Sequence, residues 1–129
     1  MAVRGIRGAI VASADKPDAI LSATRELIDE IMRANPALTA EEIASAIFTT
    51  TQDLKSAYPA EAVRKNGWRE VPLLCGQEIP IPEGLQRCIR VLIHWNTDLT
   101  QAEIRHVYLG RARKLRPDLT DLEGGEKQP

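Results

Sequence analysis

The segment RCIRVLIHWN, residues 87–96, is the most strand-like part of the chain, because isoleucine, valine and leucine dominate its centre. Arg90 stands inside this apolar run, although a guanidinium keeps its proton and is costly to bury without a partner. Side chains alternate between the two faces of a strand. We therefore predict a central strand with a core face and a mixed face, the latter lining a cleft or an interface. The core face holds Val91, Ile93 and Trp95, and the mixed face holds Cys88, Arg90, Leu92, His94 and Asn96.

The first segment, VRGIRGAIV, predicts a second strand, residues 3–11. Gly5, Arg7 and Ala9 share one of its faces, so that Arg7 is flanked by residues with almost no side chain. Glycine weakens a strand unless something needs the room. Arg7 is therefore either a cation with cleared space for a planar anionic ligand or a solvent-facing arginine on a weak edge strand.

Residues 14–36 predict a long helix. Asp15 is the candidate N-cap, Pro17 fits the first turn, and Pro36 ends the helix. The predicted buried face consists of Ile20, Thr24, Leu27 and Ile31.

Shorter elements fill the rest of the chain. A capping box, Thr39 to Glu42, predicts a short helix that gives way to a strand in AIFTTT. YPAEAVRKNG predicts a short helix with Pro59 at its first position and Gly67 just past its end. Pro72 makes WREVPLLC an irregular or edge strand. A second capping box, Thr100 to Glu103, precedes a last strand in RHVYL. The predicted fold is α+β, a mixed sheet of about five strands packed with helices and without regular βαβ alternation.

Length and composition indicate one domain, residues 1–119, with a flexible polar tail, residues 120–129. A net charge of −1 offers no basic field for nucleic acid or an anionic membrane. The N-terminus has arginines and no long apolar core, so no signal peptide is predicted, and no apolar run approaches a membrane span. Two cysteines without a CxxC pair favour a reducing, cytoplasmic setting.

Four arginines on separate elements, at positions 7, 64, 90 and 116, could surround a small molecule with several negative charges, since arginine forks match carboxylates. Glu78 is the simplest structural partner for Arg90. Cys75 could be a nucleophile or a hydrogen-bond donor, but nothing in the sequence marks it as activated, and His94 and His106 are predicted to be structural. No phosphate loop, GxSxG, HExxH or metal-ligand spacing occurs. This inventory suits positioning and charge stabilisation without covalent chemistry.

Five blocks carry a resemblance to a known family: VRGIRGA, FTTTQDLKSAYPAEAVR, VPLLCGQE, CIRVLIHWNTD and IRHVYL followed by LRPDL. Together they resemble the monofunctional bacterial chorismate mutases of the small trimeric class, whose fold is a barrel-like α/β trimer. The resemblance runs from Val3 to about Leu119 in the same order.

The resemblance implies an enzyme that rearranges chorismate to prephenate on the way to phenylalanine and tyrosine. It implies no cofactor, no metal and no covalent intermediate. It also implies a homotrimer, in which each active site lies in a cleft between neighbouring subunits.

The resemblance also implies a role for each site residue. Arg90 corresponds to the catalytic cation beside the ether oxygen, Arg7 to the group that holds a carboxylate, and Glu78 with Cys75 to the groups that meet the ring hydroxyl. The remaining substrate contacts implied are Tyr58, Arg64, Leu74, Gly76, Gln77, Tyr108, Leu115 and Arg116.

Two positions depart from the family pattern. Glu61 stands where some relatives carry a basic residue, and Tyr58 stands where phenylalanine is familiar. Two alternatives remain open: a trimeric imine-deaminase-like protein of related architecture, and a non-catalytic module that binds a small carboxylate.

Overall fold

The computed structural model describes residues 1–116. Within them, one sheet has the strand order β3-β2-β4-β1-β5. The strands are β1 (Ala2–Val11), β2 (Ile43–Thr50), β3 (Leu73–Gln77), β4 (Cys88–Thr97) and β5 (Val107–Tyr108). The helices are α1 (Pro17–Ala34), α2 (Glu61–Arg64) and three 3₁₀ helices, Ala40–Glu42, Gln101–Glu103 and Gly110–Leu115. The predicted α+β class is confirmed, whereas the predicted tail lies outside the described residues.

The strand predicted to be central, β4, occupies the middle of the sheet. It pairs antiparallel with β1 on one edge and with β2 on the other. The outer strands run parallel to their neighbours, β5 beside β1 and β3 beside β2, so the sheet is mixed. β3 is an edge strand that begins directly after Pro72, as predicted. No helix within residues 1–116 is long and apolar enough to cross a membrane.

One face of the sheet, the core face, packs against α1. On β4 this face carries Val91, Ile93 and Trp95, each 3% exposed or less, as the alternation predicts. The predicted face of α1 is also confirmed, since Ile20, Thr24, Leu27 and Ile31 are all 0% exposed. The hydroxyl of Thr24 donates to the carbonyl of Ile20 over 2.8 Å, which satisfies the one polar group on that face.

Close packing of α1 on β1 depends on Gly8. A Cβ there would lie 2.9 Å from Cδ1 of Ile31 and 3.1 Å from the carbonyl oxygen of Val107. A Cβ at Gly5, on the other face, would meet only Cδ1 of Leu92 at 3.5 Å, an ordinary contact. The glycine of β1 that packing requires is therefore Gly8, which sequence reasoning did not single out.

The start of α1 differs from the prediction. Lys16, not Asp15, is the N-cap residue, and it makes no side-chain capping bond. The Asp15 carboxylate instead accepts the backbone N–H groups of Lys55 and Ser56 at 2.9 and 3.1 Å. These hydrogen bonds lower the pKa of Asp15, and the bond from Lys55 has the largest effect. The carboxylate thus ties the start of α1 to the loop after β2, a long-range contact that a local capping rule does not include.

One predicted capping box is absent and the other is present. Thr39 makes no capping bond, because Glu42 accepts a hydrogen bond from Nε1 of Trp95 at 3.3 Å instead. The second box is confirmed: the Thr100 side chain accepts the backbone N–H of Glu103, and the Glu103 side chain accepts the backbone N–H of Thr100. A buried indole N–H needs an acceptor, and this need takes the carboxylate away from the first box.

The helix predicted over YPAEAVRKNG is shorter than expected. α2 begins at Glu61, with Ala60 as its N-cap, so Pro59 lies before the helix and not at its first position. It also ends earlier than predicted, at Arg64 with Lys65 as its C-cap, so Gly67 lies in the turn beyond the helix. Gly67 has φ +105°, a left-handed conformation that glycine adopts without strain.

We predict that Gly8→Ala lowers the free energy of unfolding by about 1–3 kcal/mol, because its methyl group overpacks the contact between α1 and β1. Gly5→Ala is the matched control, with an expected change below about 0.5 kcal/mol. Chemical denaturation of both variants measures the difference. Equal stability of the two variants would contradict the packing role of Gly8.

Candidate active site

The face of the sheet opposite α1, which we call the site face, carries Arg90. Residues paired directly across strands share a face, and Arg90 pairs with Ala9 on β1 and Thr49 on β2. Nε of Arg90 lies 3.6 Å from Oε2 of Glu78, and the two side chains are 31% and 26% exposed. The predicted proximity of Glu78 and Arg90 is confirmed.

The Arg90 guanidinium has hydrogen-bonding capacity to spare. Its Nε atom is buried and has no hydrogen-bond acceptor among the described residues. The 3.6 Å separation from Glu78 is too long for a hydrogen bond. A buried donor without an acceptor is unfavourable, so the site suits a ligand that brings an oxygen atom to this position.

Glu78 is held at two points. Its backbone N–H donates to the carbonyl of Thr50 over 2.8 Å, which continues the pairing of β3 with β2 by one residue. Its carboxylate accepts the hydroxyl of Thr49. Sequence reasoning missed Thr49, since its place opposite Arg90 follows from the register of β2 on β4 and not from any local motif.

Arg7 lies on the same face and pairs with Leu92. It borders a cavity of ≈ 220 Å³ together with Glu78 and Arg90. Ala9, next along this face of β1, lies opposite Arg90, so no large side chain of β1 stands beside the guanidinium. Three of the predicted site residues therefore meet in one cavity. Its lining consists of Arg7, Ile47, Thr49, Glu78, Arg90, Val91 and Leu92.

The C-terminal end of the described chain closes over one end of this face. Tyr108 is buried in a small cluster with Ala9 and Cys88, against which Leu115 packs. The charge of Arg116 is one of the causes that lower the pKa of His106, as is that of Arg7. Tyr108 and Leu115 thus lie beside Ala9 and Cys88, while Arg116 lies close enough to His106 to affect its pKa.

Cys88 lies two residues before Arg90 on β4, so its thiol is on the same face of the strand. Burial raises its pKa, and the charge of Arg90 and its hydrogen bond to the thiol oppose this effect only in part. Cys88 therefore stays a neutral thiol at ordinary pH. The positive charge of Arg90 is not cancelled by a thiolate beneath it.

Cys75 lies on the opposite face from Arg90. It pairs with Phe48, which is 0% exposed in the core, whereas the next residue, Gly76, pairs with Thr49 on the site face. Cys75 borders a second cavity of ≈ 560 Å³, at the outer edge of the sheet. Predicted site residues on its lining are Tyr58, Cys75, Gly76 and Gln77, with Glu61 beside them.

Two further predicted site residues are exposed on the surface. Leu74 on β3 is 65% exposed, and Arg64 at the end of α2 is also exposed. The described chain thus separates the predicted residues into a group around Arg90 and a group around the edge of β3.

The two histidines have hydrogen-bond partners. Nδ1 of His94 lies 3.0 Å from the hydroxyl of Ser45, which accounts for a side chain with no assigned role. Nδ1 of His106 accepts the backbone N–H of Arg7 at 2.9 Å. In residues 1–116 no group of three or more His, Cys, Asp or Glu side chains is placed to hold a metal ion.

Known proteins resemble this chain over most of its length. The sequence profile of the family chorismate mutase type I matches residues 3–119. The chain is 56% identical over 121 residues to chorismate mutase AroH of Thermus thermophilus, covering 94% of this chain and 99% of that protein. It is 41% identical over 121 residues to chorismate mutase AroH of Bacillus subtilis, covering 93% and 94% of the two chains.

A solved structure has the same fold. The chorismate mutase from Clostridium thermocellum superimposes with a TM-score of 0.82 at 43% identity, covering 85% of this chain and 97% of that one. The chain belongs to the chorismate mutase type I family. Its activity is that of a chorismate mutase, an isomerase, and the imine-deaminase-like alternative is set aside.

We predict that Thr49→Val lowers kcat/KM for chorismate by about tenfold, because Glu78 loses a hydrogen bond to a charged group. Thr49→Ser keeps the hydroxyl and serves as the matched control, with most of the activity retained. Steady-state kinetics on both variants measures the effect. Wild-type kinetics in the valine variant would show that Thr49 does not support Glu78.

Proposed function

We propose that chorismate rearranges to prephenate in the cavity bordered by Arg7, Glu78 and Arg90, as a step in aromatic amino acid biosynthesis. The observation that carries this assignment is the buried Nε of Arg90, which has no acceptor among the described residues. It lies on the central strand of the sheet and faces a cavity that a second arginine also borders.

Arg90 acts on the bond that breaks. In this pericyclic reaction the C–O bond breaks ahead of C–C formation, so negative charge develops on the ether oxygen. A fixed donor at that oxygen stabilises the transition state more than the ground state. One such donor contributes roughly 3–4 kcal/mol to lowering the barrier.

The other charged groups orient the substrate. Chorismate carries two carboxylates, and the arginine fork suits planar carboxylate recognition. Arg7 holds one carboxylate, while Tyr108 lies beside Ala9 on the same face and Arg116 lies near His106. Glu78 accepts the ring hydroxyl while the Thr49 hydroxyl occupies part of the carboxylate's capacity. No step needs a base, a metal or a covalent intermediate, because the reaction moves no proton.

We further propose that the active unit is a homotrimer with sites between subunits. No helix covers the centre of the site face in the described chain, and large apolar side chains are exposed beside it: Leu74 (65%), Ile79 (78%) and Ile81 (64%). Exposed apolar surface of this kind typically marks a protein interface. A neighbouring subunit seated there would cover these residues.

The same arrangement accounts for the second cavity. Cys75 and Tyr58 border a cavity at the free edge of β3, away from Arg90 of their own chain. In the proposed trimer this edge meets the Arg90 cavity of the adjacent subunit. Tyr58, Arg64, Leu74, Cys75, Gly76 and Gln77 would then serve their neighbour's site, and Glu61 would border the same cleft.

We infer a cytoplasmic setting. Both cysteines are free in the described structure, and Cys88 is fully buried. Free thiols without a disulfide partner fit a reducing compartment.

We predict that Arg90→Lys lowers kcat for chorismate by about 10²–10³-fold, because lysine keeps the charge and loses the planar fork. Arg33→Lys, on the exposed side of α1, is the control and retains activity. The loss of chorismate absorbance on adding purified protein, without metal or cofactor, measures both. Turnover near that of the wild type in the Arg90 variant would contradict the catalytic role.

We predict that Leu74→Glu shifts the protein from trimer to monomer in light scattering, because a buried, unpaired carboxylate opposes association. Ser22→Glu, on the exposed side of α1, adds the same charge and leaves the trimer intact. A wild-type protein that scatters as a monomer at micromolar concentration would contradict the proposed assembly itself.

A further inference from the structure

At Arg7, the edge of β1 forms its hydrogen bond with a side chain and not with the backbone of a neighbouring strand. β5 pairs with β1 at two positions only, opposite Gly8 and Ala9. One step before these, the backbone N–H of Arg7 donates to Nδ1 of His106 over 2.9 Å. The imidazole thus takes the place that the backbone of a longer strand would have, at the residue proposed to hold a substrate carboxylate.

The segment that carries His106 is itself anchored on two sides. Gln101 pairs with Gly5 on β1, accepting its N–H at 3.0 Å and donating to its carbonyl at 2.7 Å. Asn35, at the end of α1, accepts the N–H of Arg105 at 3.0 Å and donates to its carbonyl at 2.9 Å. These bonds leave His106 little freedom, so the ring is a fixed support for the strand.

We propose that His106 is a positioning residue for the mutase reaction, holding the backbone of Arg7 through Nδ1 and so setting the direction in which the Arg7 guanidinium meets a carboxylate of chorismate. This inference rests on the proposed role of Arg7. Since Nδ1 accepts, the ring is neutral and carries its proton on Nε2.

The surroundings of His106 favour this neutral form. Burial, then the charge of Arg116, then that of Arg7, lower the pKa of His106 below its ordinary value of 6.5. Asn35 and Gln101, which anchor its segment, are uncharged, and the Glu103 carboxylate is engaged with Thr100. A protonated ring would turn Nδ1 into a donor facing another donor. The bond is therefore complete above pH 6.5 and lost as pH falls through the lowered pKa.

The test uses two amides of different length in the full-length protein. His106→Asn places its side-chain oxygen where Nδ1 stands, whereas His106→Gln places its amide near the position of Nε2. We expect KM for chorismate to rise about three- to tenfold in His106→Gln, the effect of one lost hydrogen bond, with kcat within about twofold of wild type. In His106→Asn we expect KM to stay close to the wild-type value, because the amide oxygen can accept the N–H of Arg7.

The pH profile gives a second measurement that does not depend on a disruptive variant. In the wild type, KM rises as pH falls through the lowered pKa of His106, whereas in His106→Asn that part of the profile is flat, since an amide does not titrate. The difference between the two profiles removes every titration that both proteins share.

Arg7→Ala separates this inference from the proposed function. If Arg7→Ala raises KM and His106→Gln leaves KM at the wild-type value, the inference on His106 is overturned and the role of Arg7 stands. If Arg7→Ala itself leaves KM unchanged, the carboxylate role of Arg7 fails. Equal loss of kcat in the Asn and Gln variants, or identical acid profiles in wild type and His106→Asn, would also overturn the inference.

Discussion

β4 is hydrogen-bonded on both edges, to β1 and to β2, and this double pairing determines where the charged groups of the site lie. It places Ala9 and Thr49 on either side of Arg90 and sets Arg7 two residue pairs further along. The core face of the same strand is fully packed under α1. Backbone pairing and core packing therefore fix the backbone of Arg90 and direct its side chain to the site face, towards Glu78.

Such rigidity matters because the reaction needs orientation and a fixed charge more than chemical participation. The thiol of Cys88 beside Arg90 stays neutral, and Glu78 lies too far away to accept a hydrogen bond from Nε of Arg90. Among residues 1–116 this Nε has no acceptor, which leaves the donor available to a ligand oxygen. Part of the stability supplied by the core thus offsets the cost of a buried, incompletely bonded guanidinium.

Local sequence patterns predicted the features that depend on neighbouring residues alone. The period of two in residues 87–96 identified the core face of β4, and the period of α1 identified its four buried residues. Register is a long-range property, so neither Thr49 opposite Arg90 nor Gly8 beneath α1 could be read from spacing. Asp15 and Glu42 both match capping rules. Their carboxylates instead accept hydrogen bonds from distant donors on Lys55, Ser56 and Trp95. Resemblance indicated Cys75 as a site residue but not that it faces away from Arg90 of its own chain.

The alternation of Cys75 and Gly76 along β3 bears on how sequences of this family can diverge. Inserting or deleting one residue within β3 would turn every following side chain to the other face. It would carry Cys75 from one cavity to the other and shift Glu78 away from Thr49. Residues 82–86 have no such constraint, because they belong to no strand and most of their side chains are exposed. Changes of length should accumulate in this loop during evolution, while β3 keeps a constant number of residues.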